Sequence, residues 1–206
     1  MNNEIEPAIA TLLSVCRALQ EGKVARGASV VRDDLPFKPP TKVASRSFSN
    51  EDALRIFVRD RFTDRYSGDR LVFPGSLRLL SALLPVEFPY HPNWKTTECH
   101  QLYWLLFPTV DHVEPIARGG RDEESNWVTT SMMRNSAKGS WTLQELGWQV
   151  LPLEDLTAWD GLLGWFKEFV DVHPDVLQNA GVREWQRTVK KVCGTISTDP
   201  KKEEAK

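Results

Sequence analysis

Cysteine is scarce in this chain of 206 residues: Cys16, Cys99 and Cys193 are odd in number, far apart and form no Cys-x-x-Cys. That excludes a disulfide framework and a cysteine-rich zinc site, and it points to a reducing compartment. Long apolar runs are missing too, since no stretch approaches the ~18 apolar residues of a membrane span. The start of the chain, MNNEIEPAIA, has neither the basic region nor the apolar run of a secretory signal. A cytoplasmic protein with no membrane partner is expected. Positive charge is not in excess either: 26 Lys and Arg stand against 28 Asp and Glu. A globally basic nucleic-acid coat is therefore excluded, and any contact with nucleic acid must come from a local cluster of cations.

What is present is enough apolar material, 41% of residues, for one core with elaborations. Ile5, Ile9, Leu12, Leu13, Cys16 and Leu19 have helical spacing over residues 4–20, with Pro7 expected in the first turn, where its missing N–H costs little. Residues 22–47, rich in Gly, Pro and charge, read as an irregular connector. Ser49 followed by Asp52 predicts a capped helix start, with Leu54, Phe57, Val58 and Phe62 as the buried stripe. LRLLSALLP reads as a short helix closed by Pro85, and 97–106 as another. From 107 the rhythm changes: FPTVDHV, the turn-forming RGGRD, then NWVTT and a helix over 131–138 predict strand, loop, strand, helix. Two further helical stripes follow, one through Trp159, Leu162, Leu163, Phe166 and Val170, the other through Val182, Trp185, Val189 and Val192. The expected organisation is an N-terminal helix and connector (1–48), a main domain (49–195) and a disordered tail (196–206). The fold class is α+β, predominantly helical.

The chain has four histidines, and one of them, His112, stands between an apolar run and the glycine turn. A Ser-His-Asp triad is not supported, because no Gly-x-Ser-x-Gly elbow is present. Cys99 and His100 lack the partner pair a zinc site needs. The stretch offers one carboxylate, one imidazole and two carboxamides. Asp111 and Asn135 are hard oxygen ligands suited to Mg²⁺. Cations collect around the histidine: Arg118, Arg121, Arg134 and Lys138. A hard metal, a base and phosphate-binding cations suit phosphodiester hydrolysis. The arginines at 55, 59, 61 and 65 read mostly as a solvated helix face, and the eight tryptophans as core.

In order and register, Asp111-His112, Pro115, the Gly119-Gly120 turn, Asn126-Trp127-Val128 and Arg134-Asn135-x-x-Lys138 resemble the HNH (ββα-metal) nuclease motif. Asn126 comes 14 residues after His112 and Asn135 a further 9 on, the spacing of the His-Asn-Asn subtype found in the HNH domain of RNA-guided CRISPR nucleases. Upstream, RIFVRDRFTDRYSGDRL resembles the helix and zinc knuckle that precede many HNH sites. Asp64, Ser67, Ser131 and Arg134 stand where its four cysteines would be, so no structural zinc is expected.

The resemblance covers about residues 54–72 and 107–140. It implies a ββα unit at about 107–140 and metal-dependent endonucleolytic cleavage of DNA. His112 would be the general base, Asp111 and Asn135 would hold one divalent metal (Mg²⁺ or Mn²⁺), and Asn126 would tie the loop between the strands. Arg134 and Lys138 would contact phosphates, with Arg118 and Arg121 beside them. One such site cuts one strand, so double-strand cleavage would need a homodimer, two sequential nicks, or a partner nuclease or targeting protein. The alternatives are a catalytically degenerate module that binds nucleic acid, and an RNA- or structure-selective nuclease.

Overall fold

The computed structural model describes residues 2–36 and 48–196, and the first helical stripe of the sequence is its α1 (Asn2–Gln20). The helix begins before the expected start, so Pro7 lies inside it rather than in its first turn. There the ring leaves the carbonyl four residues back without its usual N–H partner. Residues 24–34, expected to be irregular, form α2 (Val24–Asp34). Glycine and charge hide a short helical pattern in which Val24, Gly27, Ala28 and Val31 share a face. Gly27 is buried, and a Cβ on it would stand 3.2 Å from Leu19 Cδ2, so its lack of a side chain lets α2 close on α1. Both helices belong to one compact unit, Met1–Val43, and the rest of the chain forms a second, Ala44–Lys206. The remaining connector residues at 37–47, and the expected tail beyond 196, lie outside the described residues.

The second unit opens with α3 (Asn50–Arg59), whose N-terminus has the predicted capping box: Ser49 Oγ accepts from the Asp52 N–H, and the Asp52 carboxylate accepts from the Ser49 N–H. Leu54 and Phe57 are buried on it and Val58 is half-buried. Phe62 is buried as well, but it lies beyond the helix, where Arg61 and Phe62 take positive φ (52° and 47°) and turn the chain. α4 (Pro74–Leu83) starts on a proline, as a first helical position allows. α5 (Leu102–Leu106) is half the expected length. Its predicted beginning is taken up in turns, with the His100 N–H drawn back to Pro89 O at 2.8 Å.

β1 (Pro108–His112) and β2 (Trp127–Ser131) pair antiparallel, with Asp111 opposite Val128 and His112 opposite Trp127. α6 (Met132–Lys138) follows directly and is capped by Ser131. After the single turn of α7 (Leu143–Leu146), the two C-terminal stripes become α8 (Leu163–Val172) and α9 (Ala180–Ile196). Their apolar faces close the main core with α3, centred on Phe73, whose ring meets those of Phe62, Phe166 and Trp185 edge-on at 6.1, 5.1 and 5.4 Å. Among the described residues no helix is long and apolar enough to cross a membrane.

A two-stranded hairpin is marginal by itself, and its outer edges carry unpaired backbone groups. Here both edges are occupied. On β2, Asp60 Oδ2 accepts from the Thr129 N–H (2.8 Å), the Arg65 N–H donates to Thr129 O (2.9 Å), and Arg59 donates to Trp127 O (2.6 Å). Asp60 is fully buried between Arg59 (2.9 Å) and Arg65 (2.8 Å). Arg65 is therefore a buried tie and Arg59 a half-buried one, where the sequence suggests a solvated face. On β1, α6 supplies the donors: Asn135 Nδ2 reaches Val110 O (3.3 Å) and Lys138 Nζ reaches His112 O (2.8 Å). Residues three apart on a helix thus serve carbonyls two apart on a strand, because both intervals span a similar ~5–7 Å.

Candidate active site

His112 ends β1 and is buried at 4% exposure. Its Nε2 lies 2.8 Å from Asp122 Oδ1. Trp127 Nε1 lies 3.1 Å from both that nitrogen and that oxygen, with the indole edge-on to the imidazole at 89°. Trp127 packs against the main core, as the sequence suggests for the tryptophans, and has this polar role as well.

Asn126 closes the loop between the strands. Its Oδ1 accepts from the Glu114 N–H (2.9 Å), and its Nδ2 donates to Glu114 O (2.9 Å) and Arg121 O (2.8 Å). The Asn126 backbone still accepts from the Val113 N–H (2.9 Å), but the residue closes a 3₁₀ turn over Glu124–Asn126, so β2 begins one residue later than expected, at Trp127. The loop also needs its second glycine, since a Cβ at Gly120 would stand 1.9 Å from Glu114 O. Loop and Asn126 together bring Asp122 back to His112.

Alternation along β1 turns Asp111 away from His112. Asp111 is buried, and its Oδ2 accepts from Tyr66 Oη (2.6 Å) and pairs with Lys138 Nζ (3.0 Å). Burial, and then the Asp111 charge, push the Tyr66 hydroxyl far above its ordinary pKa, so it remains a donor to the carboxylate. Lys138 has no exposed surface, and this corrects its expected role: with its ammonium between Asp111 and His112 O, it does not reach a phosphate. Arg134 is committed too, to Asp64 (3.2 Å) and Asp69 (3.4 Å), with its guanidinium 5.4 Å over Trp148. Arg118 is exposed and pairs with Glu145 at 3.2 Å. Arg121 is exposed, and its guanidinium makes no bond among the described residues. Of the four cations, the two on the loop are the ones open to a ligand.

The donor set around Asp111 fits a hard divalent ion in type. Asn135 spends its Nδ2 on Thr109 Oγ1 (2.9 Å) and Val110 O, and Thr109 shares a strand face with Asp111. Asp111 Oδ1 and Asn135 Oδ1 accept no hydrogen bond among the described residues. Two protein oxygens, completed by water and phosphate, is a pattern Mg²⁺ accepts. The described residues contain no group of three or more His, Cys, Asp or Glu able to hold a metal. Asn135 and His112 also border one mostly apolar cleft of about 310 Å³, with Phe57, Phe107 and Met132.

Asp64, Ser67, Ser131 and Arg134 do meet, without the chemistry of a knuckle. Asp64 Oδ2 accepts from the Ser131 N–H (2.9 Å), Thr130 Oγ1 (3.0 Å) and Arg134 Nε (3.2 Å). Ser67 donates to Asp69 (2.6 Å), which Arg134 also reaches. A carboxylate–guanidinium cluster joins the two segments that four cysteines would join through a metal. Cys99 and His100 belong elsewhere: Cys99 is buried beside Tyr103, and His100 stacks on Phe88 at 4.6 Å.

Comparison of this chain with protein-family models, with curated proteins and with solved structures finds no match. The site has to be read from its own geometry. Sequence reasoning missed Asp122, Tyr66 and Asp60. Asp122 sits in the RGGRD turn and Tyr66 in the segment quoted for its knuckle positions, but neither spacing announces a partner 10 or 45 residues away.

Proposed function

We propose that this protein is a metal-dependent endonuclease of the HNH type that hydrolyses phosphodiester bonds in DNA. One arrangement carries the reading: at the end of β1, adjacent residues face opposite ways, with the His112 imidazole held by Asp122 and the Asp111 carboxylate on the strand face of Thr109, the residue that Asn135 of α6 bonds. In this reading His112 takes a proton from water, the hydroxide oxygen bonds to phosphorus, and the P–O3′ bond breaks with its electron pair leaving on the 3′ oxygen. A positioned general base of this kind contributes roughly 10²–10⁴-fold. Asp111 and Asn135 would hold Mg²⁺ or Mn²⁺, which when bound supplies charge stabilisation for the scissile phosphate and the leaving oxygen. Tyr66 and Lys138 fix the Asp111 carboxylate in place, Asn126 holds the loop, and Arg118 and Arg121 offer charge to flanking phosphates.

One observation favours a second reading, a module that binds nucleic acid without cutting it: the Lys138 ammonium already matches the Asp111 charge. A single assay separates the two. The purified protein is incubated with supercoiled plasmid, linear duplex, single strand and RNA in Mg²⁺, Mn²⁺ or EDTA. Nicking of plasmid that EDTA abolishes is the expected result. Cleavage that persists in EDTA after exhaustive dialysis removes the metal from the reading, and binding without cleavage in either metal selects the second one.

A further inference from the structure

We propose that Asp122 is a positioning residue that fixes the tautomer of His112, so that Nδ1 is the nitrogen that accepts a proton. The proposal rests on the hydrolytic reading for its consequence, while its physical content is a count of hydrogens. Three atoms converge: His112 Nε2, Asp122 Oδ1 and Trp127 Nε1, at 2.8, 3.1 and 3.1 Å. An indole nitrogen can only donate and a carboxylate can only accept. If Trp127 donated to the imidazole, Nε2 would be bare and would face a carboxylate oxygen with no hydrogen between them. If both nitrogens donate to Asp122, both contacts to the carboxylate have their hydrogen and no bare nitrogen lone pair faces the oxygen. The neutral ring then carries its proton on Nε2, and Nδ1, which makes no hydrogen bond among the described residues, keeps its lone pair. A proton taken from water adds at Nδ1 and gives an imidazolium beside the Asp122 charge, with no rearrangement at Nε2.

The same geometry makes an unusual demand of the variants. In Asp122→Ala the carboxylate is gone, yet the Trp127 N–H is still 3.1 Å from Nε2. It becomes the donor to that nitrogen and drives the proton to Nδ1, the wrong tautomer for a base there. Removing a second group should then help: Asp122→Ala with Trp127→Phe frees the ring to sample both tautomers. Asp122→Asn keeps an oxygen acceptor but not the charge, and should lose less than Asp122→Ala.

The test reads the tautomer directly, by ¹⁵N NMR of the imidazoles in the full chain without metal or DNA. Spectra are taken about two pH units above the ordinary imidazole pKa, with His112→Ala to assign the signal. The expected result is Nε2–H in the wild type and in Asp122→Asn, Nδ1–H in Asp122→Ala, and a mixture in the double variant. In plasmid nicking, kcat falls in Asp122→Ala by up to the ~10²–10⁴-fold share of a general base, with KM unchanged, and partly returns in the double variant. Nδ1–H in the wild type, or Nε2–H retained in Asp122→Ala, overturns the proposal. The wild-type spectrum decides it even if a variant fails to fold. A wild type that shows Nε2–H but cuts no substrate upholds the clamp and sinks the hydrolytic reading instead.

Discussion

The two edges of one small hairpin are finished in opposite ways. Along β2, every group brought up to the strand is saturated: Asp60 takes the Thr129 N–H and two arginines, and Asp64 takes the Ser131 N–H, Thr130 and Arg134. Along β1, α6 gives donors to the strand carbonyls and keeps acceptors in hand. Asn135 Oδ1, Asp111 Oδ1 and His112 Nδ1 accept nothing among the described residues. One edge is scaffold and the other has lone pairs left for a ligand. Five residues of strand on each side are enough to separate the two roles, since the hydrogen-bonding capacity of the flanking side chains decides them.

The largest effect should come from breaking the scaffold edge. Asp60→Ala leaves the Arg65 guanidinium, the partly buried Arg59 and the Thr129 N–H without their acceptor. Removing one partner of a buried ion pair costs about 3–5 kcal/mol, a large part of the stability of an ordinary domain. Urea unfolding followed by tryptophan fluorescence should show the midpoint falling by that equivalent, or no folded baseline at all. A midpoint close to wild type would mean that water replaces Asp60 and that the β2 edge is less closed than it looks.

Next in size is a change on the ligand edge that leaves the scaffold intact. His112→Ala should lower plasmid nicking by roughly 10²–10⁴-fold, because in the proposed reaction the imidazole acts in the chemical step. DNA binding by the variant should stay near wild type. If nicking survives at wild-type rate, the base lies elsewhere and the comparison of edges loses its functional half.

The features legible in the sequence were those whose signal is local. The Ser49–Asp52 box lies within four residues, and the hairpin follows from apolar strands around a glycine turn. The α9 stripe repeats with the helical period over a long stretch. α2 was hidden because its apolar face is narrow, with a glycine at its buried position. α8 starts at Leu163, later than the stripe from Trp159 suggests, because Asp160 accepts from the Leu162 and Gly164 N–H groups and holds the preceding turn. Within the site, the histidine, the aspartate and both asparagines could be named from type and order. Their partners could not, because Asp122, Tyr66 and Asp60 act through contacts that loops bring together and no period encodes. Lys138 shows the limit most plainly: a lysine at the end of a surface-like helix reads as a cation for DNA, and only packing reveals that it is buried against β1.

A smaller effect concerns how a chain of net charge −2 would hold DNA. Lys138 is buried and Arg134 holds two carboxylates, so in the nuclease reading phosphate contacts would fall to Arg118, exposed beside Glu145, and Arg121 on the loop. Arg118→Ala with Arg121→Ala should weaken binding to all sequences alike and flatten the plot of log affinity against log salt by roughly two units. Arg134→Ala should leave the slope nearly unchanged. Measured in the His112→Ala background, where substrate survives, an unaltered slope in the double variant would move the DNA surface off this loop.

The smallest effect tests whether scaffold and ligand edges are energetically separate. Ser49 and Asp52 cap α3, the helix whose C-terminal residues lead into Asp60. The Ser49 hydroxyl, then its N–H, hold the Asp52 carboxyl below its ordinary pKa. A carboxyl with a lowered folded pKa contributes stability that is present above the unfolded value, near 3.9, and is lost as pH falls through the folded one. Ser49→Ala removes the cap and should cost about 1 kcal/mol at neutral pH. The gap between variant and wild type should narrow below about pH 4, as Asp52 loses the charge that the cap stabilises. The kcat for nicking should not change, because the side chains of Ser49 and Asp52 bond each other and Arg55 and make no bond to the three free acceptors. A kcat that fell with the cap would show that the two edges share their strain, and the separation drawn from their hydrogen bonds would then not hold.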